Sequence, residues 1–307
     1  MAVIDIGTHS ILYFLGEINK NNQIIMVDQA VQAARLGRNI ESQGIIEEQA
    51  IKKAIDILNR LNQKALDQKA NRIIVVGTRV FRAAMNQKLV CKRIRKETGF
   101  DVEVLSDQEE ARWSYIGATY GRCIDQSVIV LDIGGGSTEF VYGKDNHICE
   151  LISINLGAVN LTEKCIHHDP PLKQEVDVLL EMIHVTLKKK VYPLLRKGEQ
   201  IIASGGTATT LAAFQLQLDC YRPNRVDGYV MSVQDLESSI NQIMFISLLQ
   251  RQQLLSFDPA RADIILAGSM ILKTIMSAGG FENVMISDQG LPLGIALKAL
   301  QSNQPNH

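Results

Sequence analysis

Two stretches of the chain combine an aspartate, glycines and hydroxyl side chains in an order suited to holding phosphate: Asp5-Ile6-Gly7-Thr8 followed by Ser10, and Asp132-Ile133-Gly134-Gly135-Gly136-Ser137-Thr138. Glycine lets the main chain approach a ligand and point successive amides at one place, and such concave runs of N–H groups bind phosphate oxygens. Ser137 and Thr138 add hydroxyl donors, and Asp132 stands where it can face a bound cation or its waters. A third stretch, Ser204-Gly205-Gly206-Thr207, follows a strand-like run and opens an apolar helix, so its amides can face an anion at a helix N-terminus. One glycine-rich turn is commonly a plain hairpin. Three together indicate chemistry on a phosphorylated substrate.

The elements around these turns repeat. Each Asp-Ile-Gly segment sits between two apolar runs, the second covering 11–15 or 140–142 and closing on Gly16 or Gly143, which reads as strand, tight turn, strand. Two such hairpins suggest duplication and two related lobes. Between them, Ile51, Ala54, Ile55, Leu58 and Leu61 recur at helical spacing, 72–77 reads as a buried strand, and 87–98 as a helix stopped by Gly99. A short strand at 102–105 precedes a helix from about Asp107. The second lobe is expected to contain a strand over 148–154, a long helix across 172–195 broken near Pro193, and a strand at 200–203 running into the third turn. After a buried helix from Arg261 to Gly279-Gly280 come a strand at 283–286, a last helix after Gly290 and a frayed tail after Gln301.

With 307 residues and 46% hydrophobic content the chain fits two domains. They are expected at 1–121 and 122–290, with a C-terminal helix over 291–307 packing back on the first. Lys plus Arg number 32 against 33 Asp plus Glu, which argues against a general nucleic-acid binder. The 5 cysteines form no C-x-x-C pair or zinc spacing and read as reduced thiols. No signal peptide is visible, and the longest apolar stretch, 264–278, is interrupted by Lys273 and too short to span a bilayer. A cytoplasmic protein without membrane association is expected.

The motifs carry a resemblance to the sugar kinase, heat-shock protein 70 and actin superfamily, and within it to the exopolyphosphatase and guanosine pentaphosphate phosphatase (Ppx/GppA) family. The matching stretches run in order along nearly the whole chain: Val3 to Ser10, Gly77-Thr-Arg-Val-Phe-Arg-Ala-Ala-Met-Asn86, Leu105-Ser-Asp-Gln-Glu-Glu-Ala-Arg112, Asp132-Ile-Gly-Gly-Gly-Ser-Thr-Glu139, Leu156-Gly-Ala-Val159, Ser204-Gly-Gly-Thr207, Arg261-Ala-Asp-Ile-Ile-Leu-Ala-Gly268 and Ser287-Asp-Gln-Gly290. The resemblance implies an α/β fold of duplicated, ribonuclease H-like lobes with mixed sheets and an interdomain cleft, in the family's short two-domain type. It implies phosphoanhydride hydrolysis, of inorganic polyphosphate first and of guanosine pentaphosphate as the close alternative, with Glu110 as the base that activates water.

Asp5, Asp132 and Glu139 are hard oxygen ligands suited to Mg2+ or another divalent cation. Thr8, Ser10, Gly134, Gly135, Gly136, Ser137, Thr138, Gly205, Gly206 and Thr207 are the candidate phosphate contacts. Arg82 falls on the family's phosphate-contacting arginine, with Asn86 assisting. The residues alone also allow blander readings. Asp107-Gln-Glu-Glu110 fits a helix capping box, Arg82 fits a surface arginine beginning a helix, and the basic clusters at 88–96 and 188–197 fit solvated helix faces.

The chain departs from the family pattern at Thr8-His9-Ser10, at Leu12 where an arginine is usual, at Asp227-Gly228 in place of His-Gly, and at Asp288-Gln-Gly-Leu-Pro-Leu-Gly294. These changes bear on substrate choice. They motivate a reading of another class, a polyphosphate or guanosine tetraphosphate sensor that does not turn over. The oligomeric state is left open, a homodimer included.

Overall fold

The computed structural model describes residues 1–21, 23–124, 126–145 and 147–301, so the tail expected to fray after Gln301 lies outside the described residues. The backbone divides into two compact units: residues 1–117 with the segment from Gly290 onward, and Ala118–Gln289.

The first unit opens with a hairpin of β1 (Ala2–Ile6) and β2 (Ser10–Ile18), extended by β3 (Ile24–Ala33). Helices α1 (Ile40–Gln43) and α2 (Glu48–Asp67) lead to β4 (Ile73–Gly77), then α3 (Arg79–Ala83), α4 (Gln87–Thr98), β5 (Val102–Val104) and α5 (Asp107–Thr119). The sheet order is β3-β2-β1-β4-β5, with β1 antiparallel to β2 and parallel to β4. All of β1 is buried, as a central strand covered on both faces requires. Its Ile4 and Ile6 pack with the inward face of α2, including Ile51, Ile55, Leu58 and Leu61. Gly99, at φ 78, closes α4 in the left-handed conformation and donates to the Arg95 carbonyl at 2.9 Å.

The second unit repeats this plan. It contains β6 (Val128–Ile133), β7 (Thr138–Lys144), β8 (His147–Ile154), α6 (Ala158–Cys165), α7 (Lys173–Lys188), α8 (Tyr192–Leu195), β9 (Gln200–Ser204) and α9 (Gly206–Gln215). There follow α10 (Pro223–Val226), β10 (Val230–Ser232), α11 (Val233–Ile243), α12 (Leu248–Leu254), a 3-10 turn at Pro259–Arg261, α13 (Ile265–Gly279) and β11 (Asn283–Ile286). The order is β10-β11-β9-β6-β7-β8, so β6 is antiparallel to β7 and parallel to β9, as β1 is to β2 and β4. Cross-strand pairs match as well: Asp5 faces Leu12 and Ile6 faces Ile11, while Asp132 faces Glu139 and Ile133 faces Thr138. The duplication is therefore one of register as well as of sequence. The chain then returns to the first unit as α14 (Leu291–Gln301), against β1 and β2. A Cβ on Gly294 would fall 1.9 Å from the Trp113 carbonyl, and one on Gly117 2.0 Å from that of Gly290, so α5 and α14 meet backbone to backbone.

Three sequence expectations need correction. Gly16 and Gly143 do not end their strands. Each lies inside one, at a shift of register with the next strand, because a bulge needs a residue that bends without a side chain to place. The helix expected across 172–195 is two helices, parted after Lys188, and Pro193 sits in the first turn of the short α8, where it costs no hydrogen bond. The strand β3 was not anticipated. It is an edge strand whose Ile25, Val27 and Val31 are about half exposed, so it lacks the inward alternation that marks a buried strand.

Candidate active site

The phosphate turns owe their geometry to where their carbonyls go. In the second unit, the Gly134 amide donates to the Ser137 carbonyl at 3.0 Å, closing the hairpin. The loop's own carbonyls are drawn onto the start of α6: Ala158 N to Gly134 O at 3.0 Å, Val159 N to Gly135 O at 2.8 Å, and the Asn160 side chain to Gly136 O at 2.9 Å. The helix's orphan amides are thereby satisfied by the loop. Among the described residues nothing accepts from the amides of Gly135, Gly136 or Ser137, which leaves three adjacent donors for solvent or an anion. Thr138 is fully buried and spends its hydroxyl proton on Leu156 O at 2.5 Å, so it braces the turn and has no hydroxyl donor left for phosphate.

The turn of the first unit is built alike. Gly7 N donates to Ser10 O at 2.9 Å, Thr8 O accepts from Gly37 N at 2.8 Å, and His9 O accepts from Ala34 N at 3.0 Å and Arg35 N at 2.7 Å. Thr8, His9 and Ser10 are all buried, with His9 Nδ1 2.9 Å from Ser10 Oγ. At the third turn, Gly205 adopts φ 86, and a Cβ there would lie 2.6 Å from Asp132 Oδ1 and 2.9 Å from Ile133 O. Only glycine fits this approach. The α9 that follows has no side-chain cap, so its first amides are available. The guanidinium of Arg261, 9% exposed, packs on Gly206 at this helix start and is tied through Nε to Asp258 Oδ2 at 3.0 Å. A cation beside a helix N-terminus is unfavourable by itself; both features suit an anion. Arg261 was legible only as part of a motif, a lone arginine ahead of an apolar helix.

Asp132 and Glu139 are directly opposed across β6 and β7, and Ser153 Oγ donates to Glu139 Oε1 at 2.9 Å. Opposed positions share a face of the sheet, which sets two hard oxygen donors side by side. Mg2+ commonly takes one or two carboxylates and completes its shell with water and substrate phosphates, so the pair fits. Among the described residues no group of three or more His, Cys, Asp or Glu gathers around one point. Asp5, in the first unit, is buried and faces Leu12 rather than a second carboxylate.

The two adjacent glutamates of α5 separate into different roles. Ser106, not Asp107, begins the capping box: its N and Oγ donate to Glu109 Oε2 at 3.0 and 2.8 Å, and Glu109 N donates back to Ser106 Oγ at 3.2 Å. The capping alternative for Glu110 is thus corrected by one residue. Successive helix positions point about 100° apart, and Glu110, 8% exposed, meets Arg82 instead, with Nη1 2.7 Å from Oε2. Arg82 also pairs with Asp107 through Nη2 and donates to Leu105 O at 2.8 Å. The surface-arginine reading is therefore overturned, and the phosphate-contact reading meets a guanidinium already engaged. Asn86 bridges both backbone groups of Ile46 at 3.0 and 2.9 Å, a structural task.

Other departures also find partners. Asp227 Oδ1 takes the Arg122 Nη2 at 2.5 Å and the Asp288 amide at 3.0 Å. The Tyr221 hydroxyl donates to Asp288, and burial followed by that neighbouring carboxylate pushes the phenol well above its ordinary range. His167 N and His168 Nδ1 both meet Glu175 Oε1, at 2.8 and 2.9 Å, at the start of α7. The lysines at 188–190 are exposed, and no described helix is long and apolar enough to cross a membrane.

A model of the Ppx/GppA phosphatase family matches residues 17–303. Among curated relatives, a bifunctional 3-dehydroquinate synthase/phosphatase of Fusobacterium nucleatum is 26% identical over 98% of this chain, which spans 46% of that protein's length. Exopolyphosphatase 2 of Mycobacterium tuberculosis is 26% identical over 97% of both chains, and a guanosine-5'-triphosphate,3'-diphosphate pyrophosphatase of Photobacterium profundum is 22% identical over 97% of this chain and 59% of its own. Solved structures of the Aquifex aeolicus Ppx/GppA family member and a Cytophaga hutchinsonii exopolyphosphatase superpose with TM-scores of 0.81 and 0.90, at 29% and 24% identity, covering 99% of this chain and 98% of each. The strand order, the paired turns and the family match from residue 17 to residue 303 agree, and the chain belongs to the Ppx/GppA phosphatase family.

Proposed function

We propose that the protein hydrolyses phosphoanhydrides and releases terminal orthophosphate from inorganic polyphosphate. The observation that carries this reading is the triple-glycine turn, whose carbonyls are held by α6 while three consecutive amides are left to donate. A chain of phosphates needs such donors at several points, and the Thr8–Ser10 turn and the start of α9 add further ones. Names of relatives that include exopolyphosphatases support the same substrate class.

In this reading the amides of Gly135, Gly136 and Ser137, the Ser137 hydroxyl, and the Thr8, Ser10, Gly205, Gly206 and Thr207 segments bind phosphate oxygens. Asp132 and Glu139 hold a divalent cation, which when bound supplies positive charge to the phosphoryl oxygens, and Asp5 is the corresponding carboxylate of the first unit. Glu110 takes the proton of the water whose oxygen bonds to the terminal phosphorus, the bridging P–O bond breaks so that the shortened polyphosphate leaves as its anion, and the proton passes from Glu110 to solvent after orthophosphate departs. Cleavage of guanosine pentaphosphate would use the same groups and is favoured by the Photobacterium relative's name.

The test is phosphate release from long polyphosphate, short polyphosphate, guanosine pentaphosphate and ATP, compared with and without Mg2+ and with Glu110→Gln as control. Release from polyphosphate, lowered about 10²- to 10⁴-fold by Glu110→Gln, is expected. Tight polyphosphate binding with no release would establish the sensor instead, and phosphate transfer from ATP to a sugar would point to a kinase.

A further inference from the structure

We propose that Arg82 is a positioning residue that sets the direction of the Glu110 carboxylate and acts on the reaction only through it. The proposal rests on the reading of Glu110 as the base. Arg82 belongs to α3, yet among the described residues the partners of its guanidinium lie at the junction of β5 and α5: the Leu105 carbonyl at 2.8 Å from Nη1, the Glu110 Oε2 at 2.7 Å from the same nitrogen, and Asp107 at Nη2. A guanidinium is planar, with its N–H directions fixed in a fork. One hydrogen bond, to Leu105 O, and two ion pairs, to Asp107 and Glu110, hold the guanidinium at this junction, and the Glu110 carboxylate lies against a cation whose place in the fold is set.

Charge points the same way. One guanidinium shared by Asp107 and Glu110 leaves this trio net negative, which repels a polyphosphate rather than attracting it. A phosphate oxygen reaching Arg82 would have to displace a carboxylate already in contact. The Ser106 and Glu109 box completes the device, because it satisfies the start of α5 without calling on Glu110. A misplacement of about 1 Å at a reacting group can cost about 10²-fold in rate, so an effect of that size is expected when the fork is lost.

The experiment compares Arg82→Gln, Arg82→Lys, Glu110→Gln and the Arg82→Gln/Glu110→Gln double variant in the full chain, with long-chain inorganic polyphosphate and Mg2+. Arg82→Gln is expected to lower kcat about 10²-fold with KM within about two-fold, and Arg82→Lys to recover part of kcat. In the Glu110→Gln background the Arg82 substitution should cost nothing more, since groups acting as one unit are not additive. A rise in KM with kcat intact, or an undiminished Arg82 effect in the Glu110→Gln background, overturns the proposal and makes Arg82 a phosphate ligand. Unaltered turnover in Glu110→Gln, or none in the parent protein, removes the base reading itself, and this proposal falls with it. Should urea unfolding show Arg82→Gln to be unfolded, Arg82→Lys alone and combined with Glu110→Gln carries the same two comparisons.

Discussion

Gly157→Ala tests whether the triple-glycine turn depends on being seated against α6. Gly157 has φ −130 and ψ 158, extended backbone that alanine adopts freely, so no conformational strain contributes. The added methyl would fall 2.3 Å from Gly135 O and 2.4 Å from the carbonyl carbons of Gly135 and Gly136. These are backbone atoms and cannot rotate away. Restoring ordinary contact requires about 1 Å of separation, which breaks the bonds from Val159 N and Asn160 N to Gly135 O, now 2.8 and 3.3 Å. Two hydrogen bonds at about 1 kcal/mol each, with an overpacking cost of about 1–3 kcal/mol, give a loss of about 3–5 kcal/mol if the loop stays put. If it yields instead, the phosphate donors shift by that 1 Å and turnover falls about 10²-fold. Urea unfolding and phosphate release, measured on one preparation, separate the two. Stability within about 0.5 kcal/mol of the parent together with turnover within two-fold would refute the packing argument.

Further outcomes are expected at the metal pair and in acid. Excess chelator should abolish phosphate release, and Asp132→Asn or Glu139→Gln should raise the Mg2+ needed for half-maximal rate on the order of 10- to 100-fold; full activity in chelator would contradict the metal reading. Burial pushes the Glu175 carboxyl up, but its hydrogen bonds from His168, Leu172 N and His167 N outweigh this and bring it down from 4.5 to about 2. A carboxyl depressed in the folded state adds stability that is complete above its unfolded value and is lost as the pH falls toward the folded one. Glu175→Gln should therefore flatten the stability curve between pH 4.5 and about 2. Thermal melts across that window, parallel for parent and variant, would count against it.

How much was legible depended on how local the signal was. The helix ending at Gly99 and the strand at Asn283–Ile286 were readable because stop signal and apolar pattern lie within a few residues of each other. Gly16 and Gly143 were misread as strand ends, since a glycine that bends a strand and one that stops it look alike without the partner strand. The edge strand β3 exists through its pairing with β2, and its half-exposed apolar residues carry no inward alternation. At α5 the capping box read at Asp107 to Glu110 forms one residue earlier, at Ser106 to Glu109, because the two glutamates are adjacent and nothing local separates their frames.

The sequence by itself determined the chemistry available to this protein: glycines that bring amides together, carboxylates for a cation, and a duplicated hairpin to present them. Those are properties of residue type and short spacing. Only the tertiary structure decided how the donors and acceptors are shared out. Asn160 and the start of α6 take the loop carbonyls, Ser106 takes Glu109, and Arg82 takes Glu110 from 28 positions upstream. Each buried polar group must find a partner, and which partner it finds depends on segments remote in the chain that packing brings together.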